Sequence, residues 1–79
     1  MVDVRLPDLG EVDEVRLVAW CVAVGETVEA GAELVEVETE KATFVVEAEI
    51  AGRLVEACFA AGEPVPADAV LGRIEVHEG

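Results

Sequence analysis

Between Leu34 and Ile50 the chain alternates. Val35, Val37 and Thr39 interleave with Leu34, Glu36 and Glu38; beyond Glu40 and Lys41, the residues Ala42, Phe44, Val46, Ala48 and Ile50 interleave with Thr43, Val45, Glu47 and Glu49. A period of two predicts half-buried strands, and the β-branched residues in both arms favour the same structure. Folding the arms about Glu40-Lys41 as a two-residue tip pairs Val37 with Phe44 and Val35 with Val46 on one face, and Glu38 with Thr43 on the other. A slip of one residue would turn the apolar set to water, so the register is well specified. Elsewhere glycines at 10, 25, 31, 52, 62, 72 and 79 and prolines at 7, 64 and 66 punctuate the chain, and no segment carries a helical stripe. Short strands between such turn residues predict an all-β sandwich or barrel.

An internal repeat sharpens that expectation. A shift of 37 residues lays Arg16-Leu17-Val18 on Arg53-Leu54-Val55, Cys21 on Cys58, Gly25-Glu26 on Gly62-Glu63, Val28 on Val65 and Leu34 on Leu71, and 12 of the 24 positions from 16 to 39 are identical. Two copies of this length are too few for a solenoid. They imply one body with an approximate two-fold axis, in which each half supplies matching strands to two facing sheets. Lys41 lies in the link between the copies, where the symmetry breaks.

With 79 residues the chain has room for a single domain, 1–79. Eighteen acids against five cations, a net charge of −13, argue against binding nucleic acid or anionic lipid, both of which require clustered positive charge. A hydrophobic content of 53% argues against disorder. The longest apolar run, Leu17 to Val24, has eight residues, whereas a spanning helix needs about 20, so no membrane partner is expected. The opening Met-Val-Asp-Val-Arg lacks a charged-then-apolar leader, which makes a cytoplasmic or organelle-matrix setting, and not secretion, the expectation. Cys21 and Cys58 lack metal-ligand spacing and occupy equivalent places in the repeat, so both are expected to be buried free thiols filling the core. Trp20 is expected to pack in the core, Pro64 and Pro66 to mark a turn or edge, and His77 to be a solvated tail residue.

Lys41 is the only lysine. A two-residue hairpin tip ordinarily favours Asn-Gly or Asp-Gly, because the preferred turns require positive φ. Glu40-Lys41 in that place points to side chains wanted for another reason. Glu36, Glu38, Glu40, Glu47 and Glu49 crowd the position, and a nucleophilic catalytic amine needs burial or neighbouring cations instead. A lysine that another enzyme modifies has no such requirement.

The run Glu38-Thr39-Glu40-Lys41-Ala42 resembles the Glu-Thr-Asp/Glu-Lys-Ala motif of lipoyl domains, the swinging-arm carriers of 2-oxo acid dehydrogenase complexes. Leu6-Pro7-Asp8-Leu9-Gly10-Glu11 resembles the opening of that family, and the spacings of Trp20, Gly25 and Gly52 to the lysine match its pattern, so the likeness covers nearly the whole chain. The resemblance implies a flattened barrel of two four-stranded antiparallel sheets with quasi-two-fold symmetry. It implies lipoic acid joined by an amide to Lys41 by a lipoate ligase or octanoyltransferase, with Thr39, Glu40 and Ala42 defining the recognition turn. It further implies acyl transfer from a thiamin-dependent 2-oxo acid decarboxylase to an acyltransferase catalytic domain, reoxidation by dihydrolipoamide dehydrogenase, and no catalysis by the domain itself. Gly10, Glu11 and Asp13, in a loop one residue shorter than the family's, are the implied partner contacts.

Biotin carriers share this architecture but resemble one another in a Met-Lys-Met tip, and Met1 is the only methionine here. Glycine-cleavage carriers are longer. An unmodified structural or adaptor barrel gives no reason for one lysine at the tip.

Overall fold

The computed structural model describes residues 1–7, 14–66 and 68–76. Gly10, Glu11, Asp13 and His77 lie outside them. Seven strands run in chain order: β1 (Val2–Arg5), β2 (Val15–Trp20), β3 (Thr27–Val28), β4 (Glu33–Thr39), β5 (Thr43–Glu47), β6 (Gly52–Ala57) and β7 (Val70–Val76). They form two antiparallel sheets, one ordered β1-β7-β6-β3 and one ordered β2-β4-β5. The described residues contain no helix.

The sequence repeat is a structural repeat down to its irregularities. In β2 and β4, Val15, Arg16, Leu17, Ala19 and Trp20 pair with Thr39, Glu38, Val37, Glu36 and Val35, with a bulge between Leu17 and Ala19. Thirty-seven residues on, Gly52, Arg53, Leu54, Glu56 and Ala57 pair with Val76, Glu75, Ile74, Arg73 and Gly72, with the bulge between Leu54 and Glu56. Turn hydrogen bonds repeat too: Gly25 N donates to Leu54 O and Gly62 N to Leu17 O, both at 2.7 Å. Gly25 and Gly62 hold φ of 100° and 88°, a left-handed backbone that disfavours any side chain.

Two four-stranded sheets were the expectation, and the second sheet has three strands plus an isolated bridge, Arg16 to Pro64. Pro64 occupies the place that Thr27 holds in β3, and a proline has no N–H to extend a ladder. The eighth strand is thus reduced to a single bridge, although hydrogen bonds from Leu17 N to Glu63 O, Gly62 N to Leu17 O and Val65 N to Val15 O hold the segment against β2.

The core is built from equivalent pairs. Leu17 and Leu54, Leu34 and Leu71, and Val37 and Ile74 are essentially inaccessible, joined by Val35, Val28 and Val65. Trp20 is half-buried and packs against this cluster, its indole N–H donating to Phe59 O at 2.8 Å. The tryptophan has room because its cross-sheet neighbour is Gly72, whose missing Cβ would sit 3.0 Å from the indole ring.

Two expectations fail for one reason. Cys21 and Cys58 are free, as expected, but they are exposed, not buried. Counting by twos from Leu17 or Leu54 places each cysteine inward. Each bulge adds a residue and reverses the phase, so Trp20 turns toward the core and Cys21 turns out. A third irregularity, between Glu33 and Val35, buries Leu34 beside Val35 where strict alternation puts it with the glutamates.

Gly52 fixes how closely β6 and β7 approach. A Cβ there would overlap the Glu75 carbonyl oxygen and come within 2.6 Å of Ile74 Cγ2. Gly52→Ala is therefore expected to lower the unfolding free energy by about 1–3 kcal/mol, measured by thermal or denaturant unfolding.

Candidate functional site

Strands β4 and β5 pair Val37 with Phe44, Val35 with Val46 and Glu38 with Thr43, so the hairpin has the register that its alternation predicts. At its tip Glu40, Lys41 and Ala42 are exposed. The first copy of the repeat ends at Thr39, and the hairpin turn begins there.

The tip is not built as the residue preferences suggested. No non-glycine residue among those described has positive φ, which excludes the primed turns and type II at Glu40-Lys41. The argument that glycine would be easier therefore falls away, because a turn with negative φ tolerates most residues.

The Thr39 side chain supplies what a glycine turn would have supplied through its backbone. Its hydroxyl accepts hydrogen bonds from Lys41 N at 3.1 Å and Ala42 N at 3.2 Å, and donates to Ala42 O at 3.2 Å. Thr39 N also donates to Ala42 O, at 2.8 Å. A threonine bonding backbone groups two and three residues ahead is a side-chain-closed turn. Thr39, Lys41 and Ala42 thus share one hydrogen-bonded turn that also contains Glu40. The function of the hydroxyl was missed, although one signal was available: in the repeat, Thr39 aligns with Val76, which has no hydroxyl.

The acids around the tip separate by row. Glu38 lies opposite Arg16 on β2, and its equivalent Glu75 pairs with Arg53 at 3.7 Å, so an acid in this place belongs to the strand pairing in both halves. Glu36, half-buried, stands between Ala19 and Val45. A depression of about 200 Å³ beside the turn is lined by Glu14, Arg16, Glu38, Thr39 and Glu40, all polar. A larger cleft of about 480 Å³ runs between the edge strands β1 and β5, over Leu34 and Ile74, and does not include the tip. No group of three or more His, Cys, Asp or Glu suited to a metal ion occurs among the described residues.

The thiols are the other candidate nucleophiles. Desolvation, followed by the charges of Glu33 and Glu36, pushes the Cys21 thiol up from its ordinary pKa; desolvation and then Glu56 do the same for Cys58. Only the thiolate attacks, so a raised pKa leaves less of the reactive form at neutral pH.

Comparison with known proteins bears on the whole chain. The biotin/lipoyl family model, described as "Biotin-requiring enzyme", matches residues 2–74. The dihydrolipoyllysine-residue acetyltransferase component of the pyruvate dehydrogenase complex of Corynebacterium glutamicum is 40% identical over 73 residues, 91% of this chain. The lipoamide acyltransferase component of the branched-chain alpha-keto acid dehydrogenase complex of Pseudomonas aeruginosa is 38% identical over 74 residues, 92% of this chain. The chain spans 11% and 17% of those proteins' lengths. The solution structure of the lipoyl domain of the 2-oxoglutarate dehydrogenase complex from Azotobacter vinelandii superposes with a TM-score of 0.79 at 26% identity, covering 95% of this chain and 96% of that one.

Two outcomes follow from the local chemistry. Thr39→Val removes the three hydroxyl bonds and is expected to cost about 0.5–2 kcal/mol, the range for losing a side-chain cap, whereas Thr39→Ser retains most of it; chemical denaturation of the three proteins gives the comparison. Cys21 and Cys58 are both expected to alkylate without denaturant, more slowly at pH 7 than an unperturbed cysteine, with rates that climb on the alkaline side. Stopped-flow alkylation across pH 6–10 measures both features.

Proposed function

The chain belongs to the biotinyl/lipoyl attachment family, and from that premise we propose that it is a lipoyl carrier domain whose lipoate is joined by an amide to Lys41. The observation that carries this reading is an exposed lysine, the only one in the chain, on a hairpin tip closed by a neighbouring side chain. An attachment point needs an accessible amine on a defined backbone, and the residues present fit that need. The relatives that match over nine-tenths of the chain are acyltransferase components, and the tip reads Glu40-Lys41-Ala42 where biotin carriers have methionines on both sides.

When attached, the lipoyl group supplies a dithiolane able to accept an acyl group and two electrons. The chain's own residues act as a handle. Thr39 holds the turn, β4 and β5 brace it in a single register, and the core beneath keeps it from folding back. Tethering raises the effective concentration of whatever Lys41 carries at each successive active site. The role is that of a non-catalytic carrier within a 2-oxo acid dehydrogenase complex. Its partners in this reading are a lipoate ligase or octanoyltransferase, a thiamin-dependent decarboxylase, an acyltransferase catalytic domain and dihydrolipoamide dehydrogenase. The family model's description keeps biotin as the competing group.

Intact-mass analysis and peptide mapping of protein from its native host are expected to show one lipoyl increment on Lys41, abolished by Lys41→Arg with the melting temperature unchanged. A biotin increment, or an unmodified Lys41 in lipoylating cells, would overturn the proposal.

A further inference from the structure

The two halves are near copies, so each serves as the control for the other, and one row of their outward faces differs in how its charge is paired. On the four-stranded sheet, Asp3, Arg73 and Glu56 stand side by side across β1, β7 and β6. Arg73 bonds both acids, Nε to Asp3 at 3.3 Å and Nη1 to Glu56 at 2.6 Å, and the row neutralises much of its own charge. The equivalent row on the sheet that carries Lys41 is Val45, Glu36 and Ala19 across β5, β4 and β2. The ion pairs of the four arginines go to Asp3, Glu14, Glu56 and Glu75, so none of them neutralises Glu36. Val45 is 43% exposed, and Val18, at the bulge beside Ala19, is 37% exposed.

Building on the carrier reading above, we infer that this row is a docking surface for the enzyme that attaches lipoate to Lys41, which presents a cationic side chain to Glu36 between apolar contacts to Val45 and to Val18 and Ala19. Charge complementarity selects that chemistry: a half-buried glutamate flanked in its row by Ala19 and Val45 is matched by a guanidinium or ammonium with an apolar group on either side. Size selects the place. A specific interface buries about 800 Å² per partner, far more than a four-residue turn offers, so an enzyme holding Lys41 closes over a flank as well. Glu36 lies four residues from Glu40 along β4 and its continuation, about 13 Å at the rise of a strand, well inside such a footprint. On the other sheet both acids of the row are already held by Arg73.

The test exchanges the rows. The triple variant Ala19→Glu, Glu36→Arg, Val45→Asp writes the paired row onto the Lys41 sheet, and Asp3→Val, Glu56→Ala, Arg73→Glu does the reverse on the other sheet. Each set cancels in charge, so the net charge stays −13. With a lipoate–protein ligase supplied with lipoate and ATP, the first variant is expected to raise KM for the domain at least tenfold with kcat within about twofold. The second should leave both unchanged. An unchanged KM in the first, or an equal rise in both, overturns the inference.

Cys21 and Cys58 give a footprint that needs neither variant to fold. Cys21 lies near Glu36, and Cys58 lies near Arg73 and Glu56 in the other half. Excess ligase should slow alkylation of Cys21, and not of Cys58, in Lys41→Arg protein, which cannot be turned over. Equal rates count against the docking surface. A wild-type chain that gains no lipoyl mass on Lys41 counts instead against the carrier reading, so the two failures are distinguishable.

Discussion

Two one-sided sheets can be stable in water only by facing each other, and here each half of the chain makes the apolar side that the other half covers. Leu17 and Leu54, Leu34 and Leu71, and Val37 and Ile74, equivalent in the repeat, are buried together in one core cluster. Burial of a side chain of this size contributes about 1.5–3 kcal/mol, and no other element of so short a chain could replace that cover. The duplicated pattern of register, bulge and glycine turn follows from this constraint, because a strand that slipped in one half would misplace the leucines that the other half must meet.

Duplication also separates what the fold requires from what the site requires. Acids at 38 and 75 recur opposite arginines at 16 and 53, so they belong to the pairing of strands. Thr39 and Val76 differ, as do Glu36 and Arg73, and in each case the residue without a structural counterpart lies in the half that carries the lysine hairpin. Two of the departures from the repeat, at 36 and 39, lie on the strand that leads to Lys41. An attachment point needs a stiff presentation more than a reactive neighbourhood, and the hairpin provides that through a buried face, a single register and a side-chain-closed turn. The surrounding acids are consistent with a lysine that is acted upon and does not itself attack.

Much of the site was legible from residues alone. The alternation around Glu40-Lys41 specified the pairing of Val37 with Phe44 and of Val35 with Val46, since any other register would expose the apolar set. The repeat located the symmetry break, and composition left a single lysine for any modification that requires one. The cysteines were misread as core, and so was the reason for a Glu-Lys tip. A chain read in steps of two carries no mark of a bulge, which shifts the phase by one residue without altering composition.

By itself, then, the sequence determined the pairing and register of the β4–β5 hairpin and which side chain stands at its exposed turn, because burial of a period-two apolar set admits one solution. Only the tertiary structure decided which way Cys21 and Cys58 point, that Gly72 makes room for Trp20, that the Thr39 hydroxyl closes the turn, and that Arg73 is paired from both sides while Glu36 stands between apolar neighbours. Those outcomes depend on local φ and ψ and on contacts between strands distant in the chain, which hydrophobic pattern does not encode.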